Sequence, residues 1–437
     1  MALTDFTIIR RSLTGRLFST ITTVLTVAVA VALLLVLLSM RDAGRRAFER
    51  GGGNIHLLVS ADADPLTAVL NGVFYARPPR APLTWRQYQT IAEGYPLDFA
   101  VPIAQGDSFR GFPVLGTTEE FFAKVTPLPD RGWSFARGEA FKGDFQVVLG
   151  AEAARATGKK VGDTIELTHG TPQSRAAMEA ALVHEEFRFT VVGVLGANGT
   201  SHDRAIFTSL QSLWIIHVQD RVAKAEPGTG AAKKEHGERL ATAADLTDRD
   251  RLLTGIYLRV ATRPGQNATA MLPVVFDQLR KQGGFTVAQP KQEIDRLFAI
   301  VGNIDQILVA MAGAVMASSG IAIMLALYNS MEQRRRQIAV LRVLGASQGR
   351  VFMLVLTESA MLGLMGAVLG LLAASVGGLV VASVMRERLG LIVDPLLPLD
   401  VALPIVMLAV ALAAVAGLVP ALLAYRTSVG RGLRPVG

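Results

Sequence analysis

The chain alternates between four long apolar segments and polar stretches of very unequal length. The apolar segments are residues 19–40, 299–327, 351–383 and 401–425. Each contains a run long enough to cross a hydrocarbon core of about 30 Å as a helix. The polar stretch between the first two, residues 41–298, contains no such run. The pattern predicts an α-helical membrane domain of four transmembrane helices, with one large water-soluble domain inserted between helices 1 and 2.

Within residues 41–298, short strands alternate with helical segments. Phe187, Phe189 and Val191 recur at every second position, which is typical of a half-buried strand. Residues 218–251 are rich in charged residues, alanine and glycine without an apolar period, so we expect a mobile loop there. Further strands are predicted at 55–59, 146–149, 164–167, 256–261 and 285–288, and helices at 151–157 and 268–282. These elements indicate a domain of the α/β (α+β) class.

The N-terminal segment is basic and apolar at once. Residues 1–18 carry Arg10, Arg11 and Arg16 among apolar side chains, which predicts an amphipathic helix at the cytosolic membrane surface. A signal peptide is the alternative for a basic start followed by an apolar run. No small-x-small cleavage site precedes Arg41, so a retained first transmembrane helix is favoured.

The formal net charge of +8 is concentrated outside the apolar runs, in short segments. Residues 1–18, 328–350 and 426–437 are rich in arginine and contain only two acids, Asp5 and Glu332. Short loops with excess Lys and Arg stay in the cytosol. We therefore expect cytosolic N- and C-termini, a cytosolic loop at 328–350, and an external position for 41–298 and for the loop 384–400. This predicts a multi-pass protein of the cytoplasmic (inner) membrane, and the high pI requires no nucleic-acid partner.

Residues 328–350, which we call the coupling segment, lie between the second and third apolar runs. Asn329 and Ser330 can cap a helix and Gly345 can end one, so a short helix is predicted over 330–344. Glu332 lies four residues before Arg336, the spacing of a helix-surface ion pair. From the residues alone, this segment is either a topology anchor or a docking element.

Residues 331–346 read MEQRRRQIAVLRVLGA and resemble the signature loop of the FtsX/MacB-type (LolC/LolE-like) ABC transporter permeases. Three stretches at 148–152, 161–165 and 191–194 resemble the MacB-like extracytoplasmic core. The resemblance implies an insert sub-domain at about 136–254. It also implies that the coupling segment is a helix seated on a cytosolic ATPase, with ATPase-coupling residues Glu332, Arg335, Arg336, Ile338, Leu341, Arg342 and Gly345.

The resemblance also implies an assembly and a mode of action. We expect a separate ABC ATPase subunit that holds ATP and Mg, no cofactor bound by this chain, and a second permease copy or paralogue. Membrane lipids and an external adaptor or lipoprotein are further expected partners. Mechanotransmission from the ATPase to the external domain would export or release a lipoprotein, lipid, peptide or hydrophobic compound. The alternative is an FtsX-like signalling complex that regulates an external cell-wall hydrolase.

The third apolar segment contains small residues at four-residue spacing and one acid. Gly366, Gly370, Ala374 and Gly378 would let two helices approach closely, either within the chain, which we favour, or across a dimer. Glu358 is a candidate intramembrane relay, because ionisable groups in membrane helices are often functional. The alternative is an interfacial acid hydrogen-bonded to a neighbouring helix or an arginine, and this is favoured.

The sequence contains no recognisable catalytic or metal motif. Ser347 matches the nucleophile-elbow pattern G-x-S-x-G, but an arginine-rich helix precedes it where a strand is required. No Walker A sequence is present, and the absence of cysteine excludes disulfides, thiolate metal sites and an N-terminal lipoprotein anchor. The six histidines show no metal-ligand spacing, so no metal site is predicted; they are His56, His169, His184, His202, His217 and His236. A membrane enzyme is therefore disfavoured.

Overall fold

The computed structural model describes residues 5–79, 81–129, 131–170, 183–225, 239–263, 266, 269–389 and 397–426. The chain divides into two compact units. The helical unit comprises Met1–Gly44, Ile300–Val384 and Asp394–Gly437. The α/β unit comprises Arg45–Ala299 and Met385–Val393.

Two helices open the chain, α1 (Asp5–Thr14) and α2 (Leu17–Gly51). Gly15 and Arg16 separate them, so the predicted N-terminal amphipathic helix ends before the first span begins. Helix α2 continues past the predicted span at 19–40, and its last residues, from Arg45, belong to the α/β unit.

The α/β unit contains thirteen strands among the described residues. They are β1 (Leu57–Ser60), β2 (Leu83–Thr84), β3 (Leu97–Phe109), β4 (Phe112–Thr117), β5 (Phe135–Gly138), β6 (Gln146–Leu149), β7 (Thr164–Ile165), β8 (Thr168–His169), β9 (Phe189–Leu195), β10 (Ile206–Ser209), β11 (Leu252–Leu253), β12 (Gly255–Val260) and β13 (Thr286–Ala288). Its helices are α3 (Pro65–Gly72), α4 (Trp85–Gly94), α5 (Glu120–Lys124), α6 (Ala151–Thr157), α7 (Leu210–Ala225) and α8 (Leu272–Gln282).

Eleven of these strands form one mixed sheet in which β3 joins two halves. The path is β13-β1-β12-β3-β4-β10-β6-β9-β5, with β7 on β9 and β8 on β3, while β2 and β11 form a separate pair. The first part of β3, up to Ile103, pairs antiparallel with β12, and the part from Ala104 pairs with β4. The predicted insert boundary of 136–254 stays a prediction, although β4 lies outside it and pairs with β10.

Several strands of the sheet, β1 and β6 among them, are buried on both faces. Leu57 and Val59 belong to one hydrophobic cluster and Leu58, between them, to the other. Val147 and Val148 of β6 divide in the same way. Successive strand residues point to opposite faces, so a strand covered on both sides reads as a continuous apolar run. This explains why β1 and β6 were recognisable in the sequence.

Three long helices complete the chain: α9 (Pro290–Val343), α10 (Gln348–Leu389) and α11 (Leu399–Arg426). Four helical segments are long and apolar enough to cross a membrane: Leu17–Arg41, Gln306–Asn329, Gln348–Met385 and Leu399–Arg426. The four predicted spans are thus present. Helix α10 continues to Leu389 and so occupies the first part of the predicted external loop 384–400. Residues 390–396 of this loop and the tail 427–437 lie outside the described residues.

The predicted helix break at Asn329 and Ser330 is wrong. Helix α9 passes through both positions without interruption. Residues 321–344 contain no glycine or proline, and 331–337 are mostly strong helix formers, so two weak helix formers do not end the helix. The predicted stop at Gly345 is confirmed: its φ is +98°, and the Ala346 amide donates to the Leu341 carbonyl over 3.0 Å, closing a Schellman turn.

The predicted mobile loop at 218–251 is partly wrong. Its first residues continue α7 to Ala225. After residues 226–238, which lie outside the described residues, Thr242 and Asp245 cap a 3-10 turn. Helix α7 itself was missed because Leu213, Trp214, Ile215 and Ile216 are all buried and leave no helical period to detect.

Candidate functional site

The coupling segment ends α9 and begins α10. Ile338, expected on the ATPase-docking face, is buried against Val351 and Val355 of α10 and Ala421 and Ala424 of α11. Its side chain therefore contributes to packing within the helical unit. Leu341 and Arg342 are half-buried, and the side chains of Glu332, Arg335 and Arg336 lie outside the described residues.

Other apolar residues of this segment are exposed. Val343 is 64% exposed and Leu344 75% exposed, and Val340 also faces outwards. The three lie at i, i+3 and i+4, the spacing that places side chains on one helix face. We call Val340, Val343 and Leu344 the apolar turn. It lies next to Gly345, between two candidate spans.

The small residues of α10 lie against α2. A methyl group at Gly366 would be 2.5 Å from the Val27 Cβ, and one at Gly370 would be 2.7 Å from the Ala28 carbonyl oxygen. Ala374 is buried in the same hydrophobic cluster as Val27. Gly366, Gly370 and Ala374 thus pack within one chain. Gly378, the last small residue of the series, is half-buried.

Glu358 lies at the contact between α10 and α1. The Ser12 hydroxyl donates a hydrogen bond to Glu358 Oε1 over 2.6 Å, and Glu358 is buried. This geometry matches the hydrogen-bonded interfacial acid that the sequence analysis favoured. A relay role stays a prediction.

A cluster of three histidines and one aspartate occupies the α/β unit; we call it the histidine cluster. Its members are Asp107 on β3, His169 on β8, His184 in the segment before β9, and His217 on α7. Each offers one ligand atom, and these atoms all lie within 4.8 Å of one another. Asp107 Oδ2 is 3.0 Å from His217 Nε2. Its Oδ1 is 3.4 Å from His169 Nδ1 and 3.7 Å from His184 Nε2.

Two paired strands, one helix and one backbone hydrogen bond position the four side chains. Asp107 and His169 are direct partners in the antiparallel β3–β8 ladder, so both point to the same face of the sheet. The His184 amide donates to the Leu167 carbonyl over 2.9 Å, which brings His184 back beside β8. His217 approaches from the helix. Burial raises the pKa of the Asp107 carboxyl, but the three imidazoles outweigh burial and hold that pKa well below its usual range.

Sequence spacing did not reveal the histidine cluster. Its ligands come from four segments, and the sequence analysis predicted neither β3, β8 nor α7. Pairing of β8 with β3 and the return of the chain at His184 exist only in the fold. His56 and His202 lie outside the cluster, and His236 lies outside the described residues.

Two family models match the chain. The MacB-like periplasmic core domain matches residues 20–271, more than half of the chain. The FtsX-like permease C-terminal domain matches residues 309–429. The chain belongs to the FtsX/MacB-type ABC transporter permeases. The family resemblance of the sequence is thereby confirmed, as is the extracytoplasmic α/β domain between the first two membrane helices. The family is one of permease subunits, not enzymes, and it implies a partner ATPase subunit.

A comparison with curated proteins finds no significant match for this permease. Among solved structures, one similar chain is titled "Crystal structure of the extracellular domain of noncanonic ABC-type transporter YknZ from Gram-positive bacteria". The similarity covers 54% of this permease and 98% of that chain, at 10% sequence identity and a TM-score of 0.27. A TM-score this low supports no argument about the fold.

The two candidate sites fall within different family matches. The histidine cluster lies within the core-domain match, and the coupling segment lies within the permease match. Each site is therefore part of a different domain of this permease, and each requires its own functional account.

Proposed function

We propose that this permease couples ATP hydrolysis by a separate cytosolic ATPase to movement of its extracytoplasmic domain. That movement exports or releases a lipoprotein, a lipid, a peptide or a hydrophobic compound. ATP and Mg are held by the ATPase, and the permease acts as a pair with a second copy or a paralogue in the cytoplasmic membrane. Its N- and C-termini and the coupling segment lie in the cytosol.

The exposed apolar turn carries this proposal. Val343 and Leu344 expose most of their side chains at the end of α9, outside the candidate span Gln306–Asn329. Large apolar side chains in water are unfavourable unless a partner or a lipid surface covers them. Arg342 and Arg350 flank the turn in the sequence, and the basic charge of this short loop favours the cytosol. A cytosolic protein that docks here would cover the turn.

Chain connectivity supports transmission of movement. The chain passes from the helical unit to the α/β unit within α2, and returns within α9. Helix α9 also carries the apolar turn at its other end. A helix moves as a stiff element, so displacement of the turn by an ATPase would be felt along α9. We propose this as the mechanotransmission step.

The test is co-purification of an ABC ATPase with the full chain from native membranes. The double variant Val343→Asp/Leu344→Asp places two charges on the proposed docking surface and should reduce the recovered ATPase at least tenfold. Neither side chain is buried, so the variant should fold normally. Val161→Asp is the matched control, since Val161 is also an exposed valine but belongs to the α/β unit, and it should leave recovery unchanged.

Equal ATPase recovery with the double variant and with wild type would contradict docking on the apolar turn. Ile338→Asp is not a suitable variant for this purpose. It would place a charge inside the packing of α9 against α10 and α11 and damage the helical unit itself.

A further inference from the structure

We propose that Asp107, His169, His184 and His217 bind one divalent transition-metal ion of the zinc class. Imidazole nitrogen is a preferred ligand of zinc, copper, nickel and iron, and three imidazoles with one carboxylate form a four-ligand set that suits tetrahedral zinc. The proposal concerns the extracytoplasmic domain and does not depend on the proposed docking of an ATPase.

The distances suit a tetrahedral ion. Zinc lies about 2.0–2.2 Å from nitrogen and carboxylate ligands, which places tetrahedral ligand atoms about 3.3 Å apart. Asp107 Oδ2 lies 3.0 Å from His217 Nε2, and Asp107 Oδ1 lies 3.4 and 3.7 Å from His169 Nδ1 and His184 Nε2. The four ligand atoms all lie within 4.8 Å of one another, so a bound ion would draw them closer together by side-chain rotation.

The rings are arranged around a common point. Each pair of imidazoles is close to perpendicular, with interplanar angles of 85°, 78° and 87° and ring centroids 5.4–6.2 Å apart. One nitrogen of each ring faces the Asp107 carboxylate: His217 Nε2, His169 Nδ1 and His184 Nε2 lie 3.0, 3.4 and 3.7 Å from its oxygens.

Within the histidine cluster, two buried polar atoms lack a hydrogen-bond partner among the described residues: Asp107 Oδ1 and His184 Nε2. They are 3.7 Å apart, too far for a hydrogen bond with each other. Leaving a buried donor or acceptor unsatisfied is costly, and a carboxylate oxygen is the costliest kind. A shared cation between the two atoms would satisfy both. This pair is the observation that separates a metal site from an ordinary network of histidines and an acid.

The cluster is also accessible. The Asp107 side chain is fully buried, whereas the side chains of His169 and His217 are 56% and 40% exposed. An ion can therefore reach the carboxylate from solvent between these two histidines. Once bound, it would tie α7 and His184 to the β3–β8 ladder, joining segments that are distant in the sequence. We infer that the ion stabilises this part of the extracytoplasmic domain.

The experiment uses the full chain in detergent, carrying an affinity tag without histidine and stripped of metal with EDTA. Zn²⁺ is added, excess is removed by dialysis, and zinc is measured by mass spectrometry. Wild type should retain one zinc per chain and unfold at a higher temperature with zinc than without. Co²⁺ provides a second readout, because tetrahedral cobalt absorbs visible light strongly and hydrated cobalt does not.

The variants His169→Ala and His217→Ala remove partly exposed ligands, so the domain should still fold, as circular dichroism would verify. Each should weaken zinc binding by more than the roughly 100-fold that loss of an outer-shell partner costs, and abolish the thermal shift. Asp107→Asn retains the side-chain shape but removes the charge, and should weaken binding too. His56→Gln changes a histidine outside the cluster and should retain one zinc.

Three results would overturn the proposal. Wild type that retains neither zinc nor cobalt would leave only hydrogen-bonded histidines around an acid. Equal zinc retention in His169→Ala, His217→Ala and wild type would locate the ion elsewhere. Loss of zinc in His56→Gln equal to that in the cluster variants would show non-specific binding by surface histidines.

Discussion

The two units of this permease are packed with different kinds of residue. In the helical unit, contacts between helices are made at small residues: Gly363 lies against Ala413, and Gly366 against Val27. In the α/β unit, the largest buried side chains are aromatic, among them Phe121 and Phe207, whose ring centroids are 5.1 Å apart. At Gly363 and Gly366 the helical unit has no room for an added methyl group, whereas the core of the α/β unit is filled by large rings.

The difference follows from the solvent. Water drives large apolar side chains into the α/β core, because removing them from water is favourable in proportion to their area. Lipid is as apolar as a leucine side chain, so helices in a membrane associate by close backbone approach at small residues. The helical unit should therefore be sensitive to added volume, and the α/β unit to an added buried charge.

The first of these expectations concerns Gly366. Gly366→Leu adds a side chain where even a methyl group would lie 2.5 Å from the Val27 Cβ. Overpacking of this kind costs about 1–3 kcal/mol. Thermal unfolding of the helical unit, followed by circular dichroism in detergent, should begin at a lower temperature. All three tryptophans, Trp85, Trp133 and Trp214, belong to the α/β unit, so tryptophan fluorescence should change little.

Gly313→Leu is the matched control for Gly366→Leu. Gly313 also lies in a candidate span, but a side chain added there meets nothing within 4 Å. It should leave the unfolding temperature unchanged. If both variants destabilised the helical unit equally, a general effect of leucine on the helices would replace the close contact as the cause.

The second expectation concerns His202, which is buried among Tyr75, Phe121 and Trp133. Its Nδ1 lies 2.6 Å from the Tyr75 hydroxyl. Burial lowers the pKa of His202 to about 3. An unfolded histidine titrates near pH 6.5, so below that pH the unfolded chain binds a proton at this residue and the folded chain does not. The free energy of unfolding should therefore decrease as the pH is lowered, by about 1.4 kcal/mol per pH unit, or about 2 kcal/mol between pH 6.5 and 5.

The measurement is urea unfolding of the full chain in detergent at several pH values, followed by tryptophan fluorescence. His202→Gln removes the titrating ring and should flatten the dependence below pH 6.5, although its stability at pH 7 is lower. The difference between wild type and variant isolates this one histidine from the histidine cluster. Parallel pH curves for the two proteins would mean that His202 is protonated in the folded state.

The sequence predicted elements where local signals agreed with tertiary packing. Strand β6 and helix α6 have the predicted bounds, because apolar residues end at Gly150 and the helix ends at Gly158, whose φ is +71°. The coupling segment was found because its residues are contiguous. Prediction failed where long-range packing decides: in α7, Leu213, Trp214, Ile215 and Ile216 are all buried and hide the helical period. The ATPase-docking role of Ile338 stays a prediction, although its side chain packs against α10 and α11.

The proposed function requires that the apolar turn and the α/β unit lie on opposite sides of the membrane. The chain contains no cysteine, so Leu344→Cys and Val161→Cys each introduce a single thiol at an exposed position. A membrane-impermeant maleimide should label Val161→Cys in right-side-out membrane vesicles and Leu344→Cys only in inverted vesicles. Labelling of both thiols from the same side would contradict the account.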